Sequence, residues 1–294
     1  MWLLDTSTYR LRFEQDPSQV LYAILSHIWD MELNAKIKGA CAYARSRGHR
    51  YIWIDTCCID KTSSAELSEA LNSMFDWYSY AEVCYVFLPD VGDNANPASP
   101  HSEFSCSLWF KRGWTLQELI VPQINVFLSR SWRMLGTKAS LAKTIAETTG
   151  IDQEILLHKR PLHSISVARR MAWASNRETT RVEDEAYCLM GLFGIRMPTI
   201  YGEGRQAFIR LQEEILKRIP DQSLFAWGWR LDYLPPGHVP HMPLLQKTSE
   251  QELRASKGAY LFATTPADFS NCDQDDTLPF SAFTEHLSLP SSDP

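Results

Sequence analysis

At 294 residues the chain exceeds the usual single-domain size, and 45% hydrophobic and 12% aromatic content, with ten Trp, excludes a disordered polymer. Its 29 Lys and Arg against 35 Asp and Glu leave a net charge of −6, which argues against a non-specific nucleic-acid binder working by phosphate neutralisation and leaves room for a small anionic ligand held by local donors. No apolar run approaches the roughly 18 residues of a membrane span, and the start MWLLDTSTYRLRFEQ carries charge where a signal peptide is apolar. The seven cysteines form no C-x-x-C pair and several sit in apolar runs, so a cytoplasmic protein with reduced thiols is expected.

In chain order, VLYAILSHIW (20–29) reads as a strand buried on both faces. NAKIKGACAYARSRG (34–48) reads as a helix stopped by Gly48, and YIWID (51–55) as a second buried strand. SSAELSEALNSMFDWYSYA (63–81) is a helix opened by a Ser63–Glu66 capping box, with Tyr78 among its core-facing positions. EVCYVFLPDV (82–91) supplies a third strand, WFKRGWTLQELIVP (109–122) a short helix, and INVFL (124–128) a fourth strand. Strands separated by helices of this length predict an α/β fold, a doubly wound, mostly parallel sheet within residues 1–135. Residues 136–228 read as a helical extension packed on that core, with Thr180 and Glu183 as another capping box. The Pro- and Ser-rich residues 229–294 are expected to be irregular, with a frayed end.

Open parallel sheets bind ligands beyond the carboxyl ends of their strands. That rule selects Ser26, His27 and Trp29 after the first strand, Asp55, Cys57, Cys58 and Asp60 after the second, and the loop 89–100 after the third. On the short helix, Trp114 and Glu118 stand four residues apart, which stacks an indole against a carboxylate. Glu118 is then either a solvated helical residue or a partly buried carboxylate able to stabilise a cationic transition state. His27 is either a core histidine or a catalyst. Adjacent cysteines in extended chain point to opposite sides, so at most one of Cys57 and Cys58 should face the crevice. A zinc site from His27, Cys58 and Asp60 lacks ligand spacing, and no metal is expected. YGEGRQA (201–207) matches a Gly-x-Gly-x-x-Ala dinucleotide pattern, but without the strand that should precede it; glycines turning a helix–helix loop are the better reading.

Four blocks, YAILSHIWD (22–30), WIDTCCIDKTSSAELSEALNSMFDWYSYAEVCYVFLPDV (53–91), WFKRGWTLQELIVP (109–122) and RETTRVEDEAYCLMGLFGIRMPTIYGEGRQAFIRLQEEI (177–215), resemble the fungal heterokaryon-incompatibility (HET) domain in order and content. The resemblance implies a cytosolic fungal protein of nonself recognition whose activation leads to cell death. Family members usually read Ser-His-Thr-Trp-Gly where this chain has Ser-His-Ile-Trp-Asp, and Asp30 here runs almost directly into the first helix without their longer acidic connection. A more distant likeness joins RGWTLQEL to the Trp-Cys-Leu-x-Glu-Leu helix of plant TIR domains. It implies a flavodoxin/TIR-like sheet, Glu118 as the catalytic carboxylate of NAD cleavage, and Trp114 as part of its supporting shell. On this reading NAD is a substrate, no cofactor is needed, and Ser26, His27, Trp29, Asp55, Cys58, Arg112 and Trp114 contact the substrate; Arg112 or Lys111 either meets the diphosphate or is a solvated helical charge. Self-association into a homo-oligomer and an unidentified recognition partner are expected, with no membrane and no nucleic acid. The alternative is a non-enzymatic death-signalling module that acts by self-association.

Overall fold

A computed structural model of the chain describes residues 1–28, 33–227 and 262–272. The strands are β1 (Trp2–Asp5), β2 (Leu11–Phe13), β3 (Ala23–His27), β4 (Tyr51–Trp53), β5 (Val83–Phe87), β6 (Asn125–Leu128) and β7 (Met134–Thr137). They form one sheet in the order β2-β1-β4-β3-β5-β6-β7. The four strands expected from the sequence are β3 to β6, and they lie side by side in parallel. Between them run α1 (Leu33–Ser46), α2 (Asp55–Cys58), α3 (Ser64–Tyr80) and, after a 3-10 turn at Leu108–Lys111, α4 (Thr115–Ile120).

The sheet as a whole is mixed, which corrects the expectation of a mostly parallel one. β1 pairs antiparallel with β2 and β4, and β7 pairs antiparallel with β6. The cause lies in the connections. Asp5 Oδ1 accepts from the amides of Ser7 and Thr8 at 3.0 and 2.9 Å and turns the chain from β1 into β2. Ser129 N donates to Arg133 O at 2.8 Å, with Trp132 in the left-handed region, and turns β6 into β7. Links this short can join only antiparallel neighbours.

Register decides which helix lies on which face. Ile24 is paired with both Trp53 and Cys84, so these three side chains share one face and Tyr85 takes the other. Trp53 packs edge-on against Trp77 and Tyr78 of α3, whereas Tyr85 packs against Tyr43 of α1. The sheet is therefore covered on both sides, as right-handed crossovers in opposite directions require.

The helical half contains α5 (Ala142–Thr149), α6 (Gln153–Leu156), α7 (Val167–Ala172), α8 (Asp184–Tyr187) and α9 (Gln206–Arg218). The first capping box is half formed. Ser63 accepts from Glu66 N, but the Glu66 carboxylate takes the amide of Asp60 instead of that of Ser63. The Thr180–Glu183 box does not form: α8 begins four residues after Thr180, and Glu183 Oε1 accepts from the amides of Gly202 and Gly204 at 2.7 and 3.1 Å. Both glycines have positive φ and turn the loop before α9, so the dinucleotide-like pattern closes on the chain's own carboxylate.

Within the segment expected to be irregular, residues 262–272 are described and packed on the helical half. A 3-10 turn at Pro266–Phe269 opens on a Thr265–Asp268 capping box, and Phe269 is fully buried. Gln212 of α9 bonds both the C=O and the N–H of Ala263, at 2.8 and 3.0 Å. The remainder of 229–294 lies outside the described residues. No described helix is long and apolar enough to cross a membrane.

The 3-10 turn Met190–Phe193 seats the helical half on α3. A Cβ added at Gly191 would stand 2.4 Å from Phe75 Cβ, an atom next to the backbone that cannot swing away. Gly191→Ala is expected to lower stability by about 1–3 kcal/mol, as overpacking does. Urea denaturation followed by far-UV circular dichroism measures it, and an unchanged midpoint would show that this contact does not seat the two layers.

Candidate functional site

Alternation along β3 settles what its end can offer. Ser26 falls on the same face as Ile24, under α3 and α4, and His27 on the face of α1. Ser26 Oγ donates a very short hydrogen bond to Glu118 Oε2 and accepts from Trp109 Nε1 at 2.7 Å. An indole N–H is a donor only, so the chain runs in one direction: Trp109 to Ser26 to Glu118. The Tyr78 hydroxyl also interacts with the Glu118 carboxyl and donates to Leu25 O at 3.3 Å.

Glu118 is only 8% exposed. Burial pushes its pKa up to about 8, and the neighbouring Asp55 charge pushes the same way. The Ser26 hydrogen bond, the nearby Tyr78 hydroxyl and the charge of Arg112 oppose the rise without cancelling it. At neutral pH the group is therefore chiefly a carboxylic acid. A cation placed against it would reverse that balance and draw out the proton.

The helix carrying Glu118 is held at both ends. At its start, Thr115 Oγ1 donates to Trp109 O at 2.5 Å. Arg177 Nη1 donates to Arg112 O at 2.9 Å and Thr115 Oγ1 at 3.0 Å, and its charge reaches Glu118. Gly113 N donates to Glu178 O and Glu178 N to Lys111 O, so the segment at 178 pairs with the turn before α4 as a strand would. At the far end, Lys138 Nζ donates to the carbonyls of Leu119, Ile120 and Pro122, which α4 leaves unbonded. Burial lowers the Lys138 pKa to about 8. Asn125 Nδ2 adds a bond to Glu118 O at 2.8 Å.

His27 and Asp55 make a second, adjacent pair, with Nε2 3.9 Å from Oδ1, and Lys61 Nζ lies 3.9 Å from the other Asp55 oxygen. Asp90, after β5, is tied to Ser107 Oγ and Leu108 N at 2.9 and 2.8 Å and fixes the approach to Trp109. Ser26, His27, Asp55 and Glu118 are thus brought to one edge, with Arg112 within electrostatic reach. Arg112 itself is half-buried and donates to Thr180 Oγ1 at 3.4 Å.

Three candidates are placed differently from the sequence reading. The Trp114 indole serves Asp184, which also accepts from Tyr201 Oη at 2.9 Å. The indole that reaches the Glu118 network is Trp109, through Ser26, whereas Trp114 at the N-cap of α4 is engaged by Asp184. Cys57 and Cys58 lie in the turn of α2 rather than in extended chain; Cys58 Sγ is buried and accepts from Ile54 N at 3.4 Å. Trp29 lies outside the described residues. Among those described, no three His, Cys, Asp or Glu side chains are grouped to hold a metal ion. Sequence reasoning missed Trp109, Arg177 and Lys138 and treated Tyr78 as core. Trp109 had a signal, since it opens the same stretch as Glu118; Arg177 and Lys138 had none.

Comparison with known proteins places two matches on the chain. Residues 7–99 match the family described as heterokaryon incompatibility protein (HET), and residues 206–294 match a domain of unknown function (DUF8212). The chain is 42% identical over 219 residues to the vegetative incompatibility protein HET-E-1 of Podospora anserina. The match covers 67% of this chain and 16% of that protein, so the chain spans a small part of its relative's length. No solved structure matches the chain.

The raised pKa of Glu118 has a stability consequence with a definite sign. The unfolded carboxyl ionises near 4.5 and the folded one at about 8. Between those values the unfolded state releases a proton that the folded state keeps, so stability falls as pH rises through the window. Glu118→Gln lacks that linkage. Its melting temperature relative to the native chain is expected to climb steadily from pH 5 to pH 9, for a cumulative gain on the order of a few kcal/mol. Parallel melting curves across that range check it, and a constant offset would place the Glu118 pKa near its ordinary value.

Proposed function

The chain belongs to the heterokaryon-incompatibility (HET) family, and from that premise we propose that it acts in fungal nonself recognition leading to cell death, by cleaving NAD at Glu118. One observation carries the catalytic part: a buried carboxyl, hydrogen-bonded by a strand-end serine, at the carboxyl edge of a parallel sheet. The parallel strands run, in chain order, 2-1-3-4 across the sheet, which supports a flavodoxin/TIR-like core. Its switch point falls between β3 and β5, beside Ser26.

Breaking the nicotinamide–ribose bond builds positive charge on the ribose while nicotinamide leaves neutral and needs no acid. Substrate arrives with a cationic ring, and that charge ionises Glu118 by the balance described above. The carboxylate then stabilises the oxocarbenium-like state. Ser26, held by Trp109, keeps Glu118 Oε2 aimed, while Arg177 and Lys138 hold the helix that carries it. His27, Asp55 and Arg112 line the same edge and contact the substrate in this proposal; Trp114 and Cys58 serve packing. Residues 1–135 form the catalytic unit, 136–228 brace it, and self-association completes the site.

The 8% exposure of Glu118 favours a second reading, a non-enzymatic interaction module in which the carboxyl is only a buried structural acid. Nicotinamide release from NAD by assembled protein separates the two. Glu118→Gln is expected to lower that release by about two to three orders of magnitude while the fold persists. Native protein that releases none, or a variant that releases it at the native rate, decides for the module.

The pH profile gives an independent check. Because the ionised form is the active one, kcat/KM is expected to rise about tenfold per pH unit below the Glu118 pKa and to level off above about 8. A profile already flat from pH 6 would exclude Glu118 as the group that titrates. Light scattering alongside the assay tests assembly, since equal activity in strictly monomeric protein removes the requirement for self-association.

A further inference from the structure

The segment DTCCID supplies two thiols that the proposed reaction does not use. Cys57 and Cys58 are both free, and in the turn of α2 their Sγ atoms stand 3.9 Å apart. Their environments differ. Cys57 is partly exposed and Cys58 is buried, with Ile54 N pointed at its sulfur. We propose that Cys57 and Cys58 form a vicinal dithiol that hydroperoxides oxidise reversibly to an intraresidue-pair disulfide, a modification site beside Asp55.

The asymmetry assigns the roles. Cys57 is the less buried of the two, and its pKa is lowered, chiefly by the hydrogen bond from Cys58 and further by the charge of Lys61. Cys58 is held as the neutral thiol by burial, with a pKa well above the ordinary range. The Cys57 thiolate attacks one peroxide oxygen, the O–O bond breaks, and the other oxygen leaves as hydroxide or alkoxide, giving Cys57 sulfenic acid. Cys58 Sγ then attacks Cys57 Sγ; its proton and the sulfenic hydroxyl depart as water. The thiols lose two electrons and the peroxide gains them.

Closing the bond means drawing the sulfurs from 3.9 Å to about 2.05 Å. Adjacent Cα atoms lie about 3.8 Å apart, below the usual disulfide span, so the bridge is strained and easily reduced. It acts as a switch and not as a staple. The cost falls on α2, because Cys58 Sγ must leave Ile54 N and α2 is a single turn whose first residue is Asp55. Oxidation therefore disturbs the Asp55 carboxylate and its contacts with His27 and Lys61. Cys41 of α1 lies within electrostatic reach of Cys57 and is the competing partner.

The test treats the full chain with hydrogen peroxide, alkylates the remaining thiols and maps tryptic peptides by mass. The expected result is loss of two hydrogens and of both alkyl groups on the single peptide 51–61, restored by dithiothreitol. Cys58→Ser should stop at a Cys57 sulfenic acid that dimedone captures. A cross-link between peptides 39–45 and 51–61, or Cys57 and Cys58 still fully alkylated after the exposed Cys106 has oxidised, overturns the proposal. The native chain decides the matter by itself if the variant fails to fold.

Discussion

The site depends on one buried hydrogen bond, from Ser26 to Glu118. A carboxyl in the interior is costly when ionised and unpaired. The structure meets that cost by keeping the group chiefly protonated and by giving it a serine whose own oxygen is occupied by the Trp109 indole. Everything around the bond serves its geometry. Register fixes the Ser26 face, Thr115 and Arg177 fix the start of α4, and Lys138 fixes its end. The helix is six residues long, too short to stand without those supports.

Such an arrangement suits chemistry in which charge appears only during reaction. A permanently ionised carboxylate would need a permanent partner, and that partner would compete with any cation arriving later. A neutral acid can ionise in response to its ligand. Water exclusion then strengthens the attraction that results.

The parallel core was legible because buried strands such as AILSH and VCYVF sit in largely apolar runs, and the helices between them carry amphipathic ones. The edges were not, since tight turns at Asp5–Thr8 and Ser129–Arg133, rather than any apolar run, pair β2 with β1 and β7 with β6. Glu118 and Ser26 could be named from strand ends and helix spacing. Their partnership could not, because it spans 92 residues of chain. Helical spacing selects Trp114 where packing selects Trp109. It was correct about local helix geometry and silent about the Asp184 carboxyl that a distant helix brings to Trp114. The Thr180–Glu183 pattern misled for the same reason, since two glycine amides some twenty residues on outbid Thr180 for that carboxylate.

The docking of residues 262–272 bears on where this protein can be cut. Gln212 is fully buried, and its amide is satisfied by Phe208 O together with the backbone of Ala263. A fragment ending at α9 would strip that amide of both Ala263 bonds and uncover the apolar surface that Phe262 and Phe269 occupy. Exposed surface of that kind promotes aggregation. Fragments bounded by the match at 7–99, or by the end of the helices, cut through packed structure. The foldable unit ends no earlier than Cys272.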